Sequence, residues 1–203
     1  MNISIGKYIC VSGGEGVGKT TLVRGLHRLH PDWLLVKEPG GTELADKLRT
    51  ILTTGQYHPN PWTEFHLLMA ARLDLYQEII TPALTAGRTV LSDRCWVDTL
   101  AAQVIASGNE SAVQHFINHI QLTKCPWPDL WMWLDLDPQE AMKRSQQRGH
   151  LSTFDRRPVS FHLAVKKAFA TIPKYIPQFN YLRIDAQLDP EEILNQAVLK
   201  LQA

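Results

Sequence analysis

Residues 8–21, Tyr8-Ile9-Cys10-Val11-Ser12-Gly13-Gly14-Glu15-Gly16-Val17-Gly18-Lys19-Thr20-Thr21, decide the fold of this 203-residue chain. The first four form an apolar run of strand type, and residues 20–29 carry helical periodicity. Between them Gly13 to Thr20 satisfies G-x-x-x-x-G-K-[ST], in the strand-then-helix context that the motif requires. Its glycines let the backbone wrap a polyphosphate with N–H groups, and the helix N-terminus adds a positive dipole end. Gly13, Gly14, Glu15, Gly16, Val17, Gly18, Lys19, Thr20 and Thr21 are therefore the expected contacts to a nucleotide's phosphates. Lys19 is expected to reach the β- and γ-phosphates and the Thr20 hydroxyl to ligate Mg²⁺. A chance glycine-rich turn would have to place four glycines, a lysine and a threonine in register. The loop does not name the acceptor, because kinases, GTPases and motor ATPases share it.

Outward from this loop, apolar runs at 33–36, 89–92, 130–136 and 181–184 read as further strands. Helical patterns fall at 43–52, 62–85, 98–105, 112–122, 138–147, from 161 onward, and at 190–201. Buried strands alternating with helices imply an α/β fold with a mostly parallel sheet covered on both faces. The length suits one domain spanning 1–203. With 21 Lys plus Arg against 20 Asp plus Glu, the net charge of +1 supplies no bulk field for nucleic acid or an anionic membrane, so anion binding must be local. Cys10, Cys95 and Cys125 have no metal-ligand spacing and read as reduced thiols. The N-terminal stretch lacks the apolar core of a signal peptide and no run suggests a membrane span, so a cytoplasmic protein is expected.

Sheets of this kind bind ligands beyond the carboxyl ends of their strands. After the second strand stands Lys37-Glu38-Pro39-Gly40-Gly41-Thr42, followed by a helix carrying Arg49. It is either a second anion site or an ordinary turn with Thr42 as a helix cap. After the third strand come Asp93-Arg94, then Asp98, Thr99 and Gln103. Arg94 could clamp an acceptor phosphate while Asp93 acts through water on Mg²⁺, or the two could form a mutual ion pair. Arg72 alone on the long helix would not be singled out. Arg144, Arg148, His150, Arg156 and Arg157 surround a polar stretch without periodicity at about 148–159, which suits a basic lid or a solvated loop.

Taken together, in order, these motifs resemble the thymidylate kinases, above all the bacterial form, along nearly the whole chain. The residues that carry the resemblance are 13–21, Glu38-Pro39-Gly40-Gly41-Thr42, Lys47-Leu48-Arg49, Ala70-Ala71-Arg72, Asp93-Arg94, Thr99 with Gln103, Pro128-Asp129-Leu130, Leu134-Asp135, Arg148-Gly149, Asp155-Arg156 and Ile184-Asp185-Ala186. The resemblance implies a P-loop nucleoside monophosphate kinase fold with a five-stranded parallel sheet and a short basic lid, usually as a homodimer. It implies that ATP with Mg²⁺ phosphorylates dTMP to dTDP in nucleotide biosynthesis. Glu15 would lie near the acceptor sugar and phosphate, Glu38 and Pro39 beside the acceptor, Arg49 and Arg94 on its phosphate, Arg72 on its base, and Thr99 and Gln103 along the base pocket. The family's phosphate loop has an Arg or a small residue at the position of Gly16; the small-residue form draws its arginine from the lid, here Arg148 and Arg156.

This chain departs from the family pattern in the acceptor pocket. Leu68 stands where the family has a Phe that stacks on thymine, and Ala102 where it has a Tyr beside the deoxyribose. Ser12 replaces a Glu, and Asp155-Arg156-Arg157-Pro158 lacks the family's Glu two residues after the Arg. A larger, less aromatic pocket is expected. It leaves open a kinase for another or a modified (deoxy)nucleoside monophosphate, and, in a different class, an ATP-binding protein that transfers no phosphate.

Overall fold

The computed structural model describes residues 6–149 and 151–202. His150, one of the basic lid candidates, lies outside them, as does the start of the N-terminal stretch. Strands β1 (Tyr8–Gly13), β2 (Leu34–Lys37), β3 (Val90–Asp93), β4 (Leu130–Asp135) and β5 (Tyr181–Asp185) form one parallel sheet in the order β2-β3-β1-β4-β5. β1 runs two residues beyond its apolar stretch because Ser12 and Gly13 pair with Trp133 and Leu134 of β4. The register sets Val11 beside Asp93 and Asp93 beside Lys37, so the chemistry-bearing ends of the three strands are level.

The pleat sorts side chains by parity. Tyr8 and Cys10 of β1 and Trp131 and Trp133 of β4 point to one face, Ile9, Val11, Leu130, Met132 and Leu134 to the other. The first face is covered by α3 (Pro61–Leu75), α5 (Trp96–Thr99), α6 (Val113–Leu122) and α8 (Val159–Tyr175), through Phe65, Trp96, Phe116 and Phe169. The second is covered by α1 (Lys19–Leu29), α7 (Pro138–Arg148) and α9 (Pro190–Gln202), through Leu22, Leu26, Ala141 and Ile193. Burying a tryptophan as fully as Trp131, at 0% exposed, contributes about 5 kcal/mol by area. The short α2 (Glu43–Thr53) starts at Thr42, whose hydroxyl accepts from Ala45 N and caps the helix.

The expected single helix over 62–85 is instead α3, a π-helical turn at Tyr76–Ile80 and α4 (Thr81–Thr85). Pro82 has no N–H to donate and its ring crowds the carbonyl one turn back, so the helix widens just before it, with Thr81 N bonding Tyr76 O. The expected helix over 98–105 is likewise split, into α5 and a π-helical turn at Leu100–Ile105. Such turns cluster at functional sites. Here the turn and the helix before it carry Gln103 and Thr99, both of which line the central cleft.

Candidate active site

A cleft of about 1000 Å³ opens over the carboxyl ends of β1, β2 and β3. The phosphate loop forms one wall, with Gly13 to Thr21 all lining it. Gly16 has φ 76°, and a Cβ there would stand 2.1 Å from Ala141 O and 2.7 Å from Ser145 Oγ, so only a glycine fits against α7. Val17 is buried in the core, whereas a Cβ on Gly18 would meet nothing within 4 Å. Lys19 is buried and donates to Gly14 O. Burial, and then the neighbouring Arg94 cation, push its ammonium down to about 8. Thr20 Oγ1 donates to Asp93 Oδ2 at 2.9 Å. The other oxygen, Asp93 Oδ1, is buried with no hydrogen-bond partner among the described residues. A hydroxyl beside a buried carboxylate with an unused oxygen is a donor set that fits hydrated Mg²⁺ next to a polyphosphate.

Asp93 and Arg94 do not pair with each other. Arg94, at φ 81°, turns its guanidinium back across the loop, where Nη2 donates to Glu15 at 2.6 Å and Nη1 to Asp98 at 2.6 Å and Gly13 O at 3.1 Å. Burial disfavours its charge, but Glu15 and Asp98 outweigh that and raise its pKa. Burial likewise acts to raise Glu15, yet Arg94 and then Lys19 hold it at about 2, fully ionised. Asp98 is anchored from behind by Ser12 Oγ at 2.6 Å and Cys95 N at 3.2 Å. Arg49 enters the same space, held by Pro39 O at 2.8 Å; burial and then repulsion from Arg94 lower its pKa. Arg94 thus disfavours the charge on both Arg49 and Lys19, a state that an anion between them relieves.

The base-side wall rests on a buried network. Glu38, which precedes a cis peptide bond to Pro39, accepts from Tyr8 Oη and Ser92 Oγ on one oxygen. Its other oxygen accepts from Arg72 Nε at 3.1 Å and Tyr76 Oη at 2.8 Å. Burial pushes the Glu38 carboxyl upward against the pull of Arg72 and these hydroxyls. Burial also acts against the Arg72 charge, but Glu38 outweighs it, so the guanidinium stays charged at 1% exposure. Arg72 Nη1 donates onward to Thr99 Oγ1. Leu68, Ala102 and Gln103 complete this wall, with Gln103 Nε2 donating to Glu64 Oε2 at 3.1 Å.

The segment after α7 forms the remaining side. Arg148 lines the cleft and donates to both oxygens of Asp155 at 3.3 and 3.4 Å, and Asp155 also accepts from Ser152 N and Oγ. Arg156 is exposed and is not among the described residues that line the cleft. Phe154, Phe161 and Phe169 do line it, so the pocket is not as short of aromatic rings as Leu68 and Ala102 suggest. Sequence reasoning passed over these rings, together with Tyr8, Tyr76, Ser92 and Glu64. Phe161 and Phe169 on α8 read as core, since pattern alone does not separate a ring facing a cleft from one facing the sheet, and Phe154 lies in the stretch read as polar and non-periodic. No helix among the described residues is long and apolar enough to cross a membrane.

A phosphate loop facing a second, arginine-lined half-site across one cleft, on a five-stranded parallel sheet, defines a P-loop kinase of the nucleoside monophosphate class. The thymidylate kinase family model matches residues 11–197. A thymidylate kinase of Chlamydia trachomatis serovar D is 35% identical over 97% of this chain and 98% of its own length. One of Acinetobacter baumannii is 33% identical over 94% of this chain and 98% of its own. The chain belongs to the thymidylate kinase family.

Proposed function

We propose that this protein transfers the γ-phosphoryl group of ATP to dTMP, giving dTDP and ADP, with Mg²⁺ as the bound cation. The observation that carries the reading is the meeting of Lys19, Arg49 and Arg94 in one cleft, where Arg94 lowers the pKa of both other cations. Two polyanions brought end to end need such charge between them. On this reading the loop from Gly13 to Thr21 cradles the donor phosphates, and Lys19 follows the transferring group. Thr20 and Asp93 would hold Mg²⁺, which would supply charge neutralisation for the donor phosphates. Arg49 and Arg94 hold the acceptor phosphate, with Glu15 orienting Arg94 from the loop and Glu38 and Pro39 shaping the floor. Arg72, Thr99, Gln103 and Leu68 face the base, and Arg148 approaches the transferring group from the lid, with Arg156 able to reach it only if the lid moves.

An oxygen of the acceptor 5′-phosphate forms the new bond to Pγ as the bond from Pγ to the bridging β-oxygen breaks, and the electron pair leaves with ADP. No general base is needed, because the attacking oxygen is already anionic. We place this chemistry in one domain over 1–203, with a lid at about 148–159, working as a cytoplasmic homodimer in nucleotide biosynthesis.

The test is a screen of all common ribo- and deoxynucleoside monophosphates with ATP and Mg²⁺, read by chromatography of the diphosphates. Formation of dTDP from dTMP above all others is the expected result. The aliphatic Leu68 and the small Ala102 on the base-side wall favour one second reading, a kinase for another or a modified (deoxy)nucleoside monophosphate. Turnover of such an acceptor without turnover of dTMP would select it, and ATP binding with no transfer to any acceptor would overturn both.

A further inference from the structure

Neither Glu64 nor Arg157 is among the residues lining the cleft, yet three residues they touch, Gln103, Phe154 and Phe161, all are. Glu64 sits on α3 and is 5% exposed, a position at which a lone carboxylate is costly. Its Oε2 accepts from Gln103, and its Oε1 accepts from Arg157 Nη2 across 93 residues of chain. The Arg157 guanidinium also lies against two rings, 4.6 Å from the centroid of Phe154 and 4.5 Å from that of Phe161. One planar cation therefore satisfies a buried anion edge-on and covers two aromatic faces, a combination that a lysine ammonium meets less well. The same segment is tied a second time, by Thr153 Oγ1 donating to Thr53 O, at the last residue of α2, at 2.9 Å.

We infer that Arg157 is a positioning residue that latches segment 151–158 onto α3, and so holds the rings of Phe154 and Phe161 and the amide of Gln103 around the acceptor. The inference rests on reading that half of the cleft as the nucleoside monophosphate site. It accounts for how the pocket compensates for Leu68 and Ala102: aromatic surface comes from Phe154 and Phe161, beside a segment that must be fastened in place to present it. Arg157 acts through these neighbours and does not touch the substrate. Glu64 and Arg157 themselves make no hydrogen bond or ion pair to the loop from Gly13 to Thr21 among the described residues.

The test compares Arg157→Met, which keeps an unbranched apolar stem, with Arg157→Lys, which keeps the charge. With the acceptor that the screen selects, Arg157→Met is expected to raise the acceptor KM about tenfold, the loss of one charged hydrogen bond, while the ATP KM stays within about twofold. Arg157→Lys is expected to recover most of that loss. In the ligand-free protein, hydrogen–deuterium exchange of segment 151–158 is expected to speed up in Arg157→Met and not in Arg157→Lys. An unchanged acceptor KM accompanied by a lower melting temperature would mean a structural role only and overturns the inference, as does unchanged exchange. If the wild type turns over no monophosphate, the functional reading fails, and the exchange comparison, which needs no acceptor, decides the latch by itself.

Discussion

Lys19 ties the chemistry of the donor site to pH. Burial and the Arg94 cation lower its pKa to about 8 in the free protein, so its charge is disfavoured until an anion arrives. A bound polyphosphate favours the ammonium and returns its pKa to or above the ordinary lysine value of about 10.4. Between these two values binding must take up a proton, and affinity must fall as pH rises. A group titrating at about 8 is about nine-tenths charged at pH 7 and about one-tenth charged at pH 9, so ATP should bind about tenfold more weakly at pH 9, a cost of about 1.4 kcal/mol. Calorimetric titration with ATP at both pH values, in buffers of different ionisation enthalpy, reads the affinity and the proton count together. Proton uptake near one per site at pH 9 and near zero at pH 7 is expected. Lys19→Arg, which does not titrate here, should flatten the profile. A change in Kd below twofold between the two pH values, or the same change in Lys19→Arg, refutes the reasoning.

Glu38→Gln leaves the Arg72 charge buried without its counter-ion, at a cost of about 3–5 kcal/mol, so the melting temperature should drop by about 6–20 °C; calorimetry showing less than 2 °C would mean that the pair is not what holds this wall. Arg94→Ala should raise the acceptor KM about 10- to 150-fold in steady-state assays and spare the ATP KM, and an effect confined to ATP would remove Arg94 from the acceptor phosphate. Asp93→Asn should raise the Mg²⁺ concentration needed for half-maximal rate, because the buried oxygen without a partner loses its charge; an unchanged metal titration would take Asp93 out of the cation site. Leu68→Phe with Ala102→Tyr should lower the dTMP KM about 2- to 10-fold if ring contact with the base is limiting, and no gain would show that the existing rings already suffice.

Much of the donor half could be read in advance because its chemistry is local. A phosphate loop works through consecutive backbone groups and two adjacent side chains, so residues 13–21 carry their own geometry. The strands were legible for the same reason, a short apolar run being a local signal, and their ends moved by only one or two residues once pairing partners were known. The two π-helical turns were not legible, since a helix with one extra residue in a turn has the same periodic pattern as a regular one over a short window.

The acceptor half depends on distant residues. Arg72 looks like any helical arginine until the fold brings Glu38 against it from 34 residues away, and Asp93-Arg94 reads equally as a ligand clamp or a mutual pair until Glu15 and Asp98 take the arginine. The lid shows the limit most plainly. Composition marks it as basic, but only packing separates exposed Arg156 from Arg157, which is held between two rings and a buried carboxylate. The class of fold and, through the ordered motifs, the family were legible in the sequence alone, as was the loop expected to hold the donor phosphates. Tertiary structure decided which cations face one another and which rings face the cleft, because both depend on distances between residues far apart in the chain, and these exist only once the sheet has brought the strand ends level.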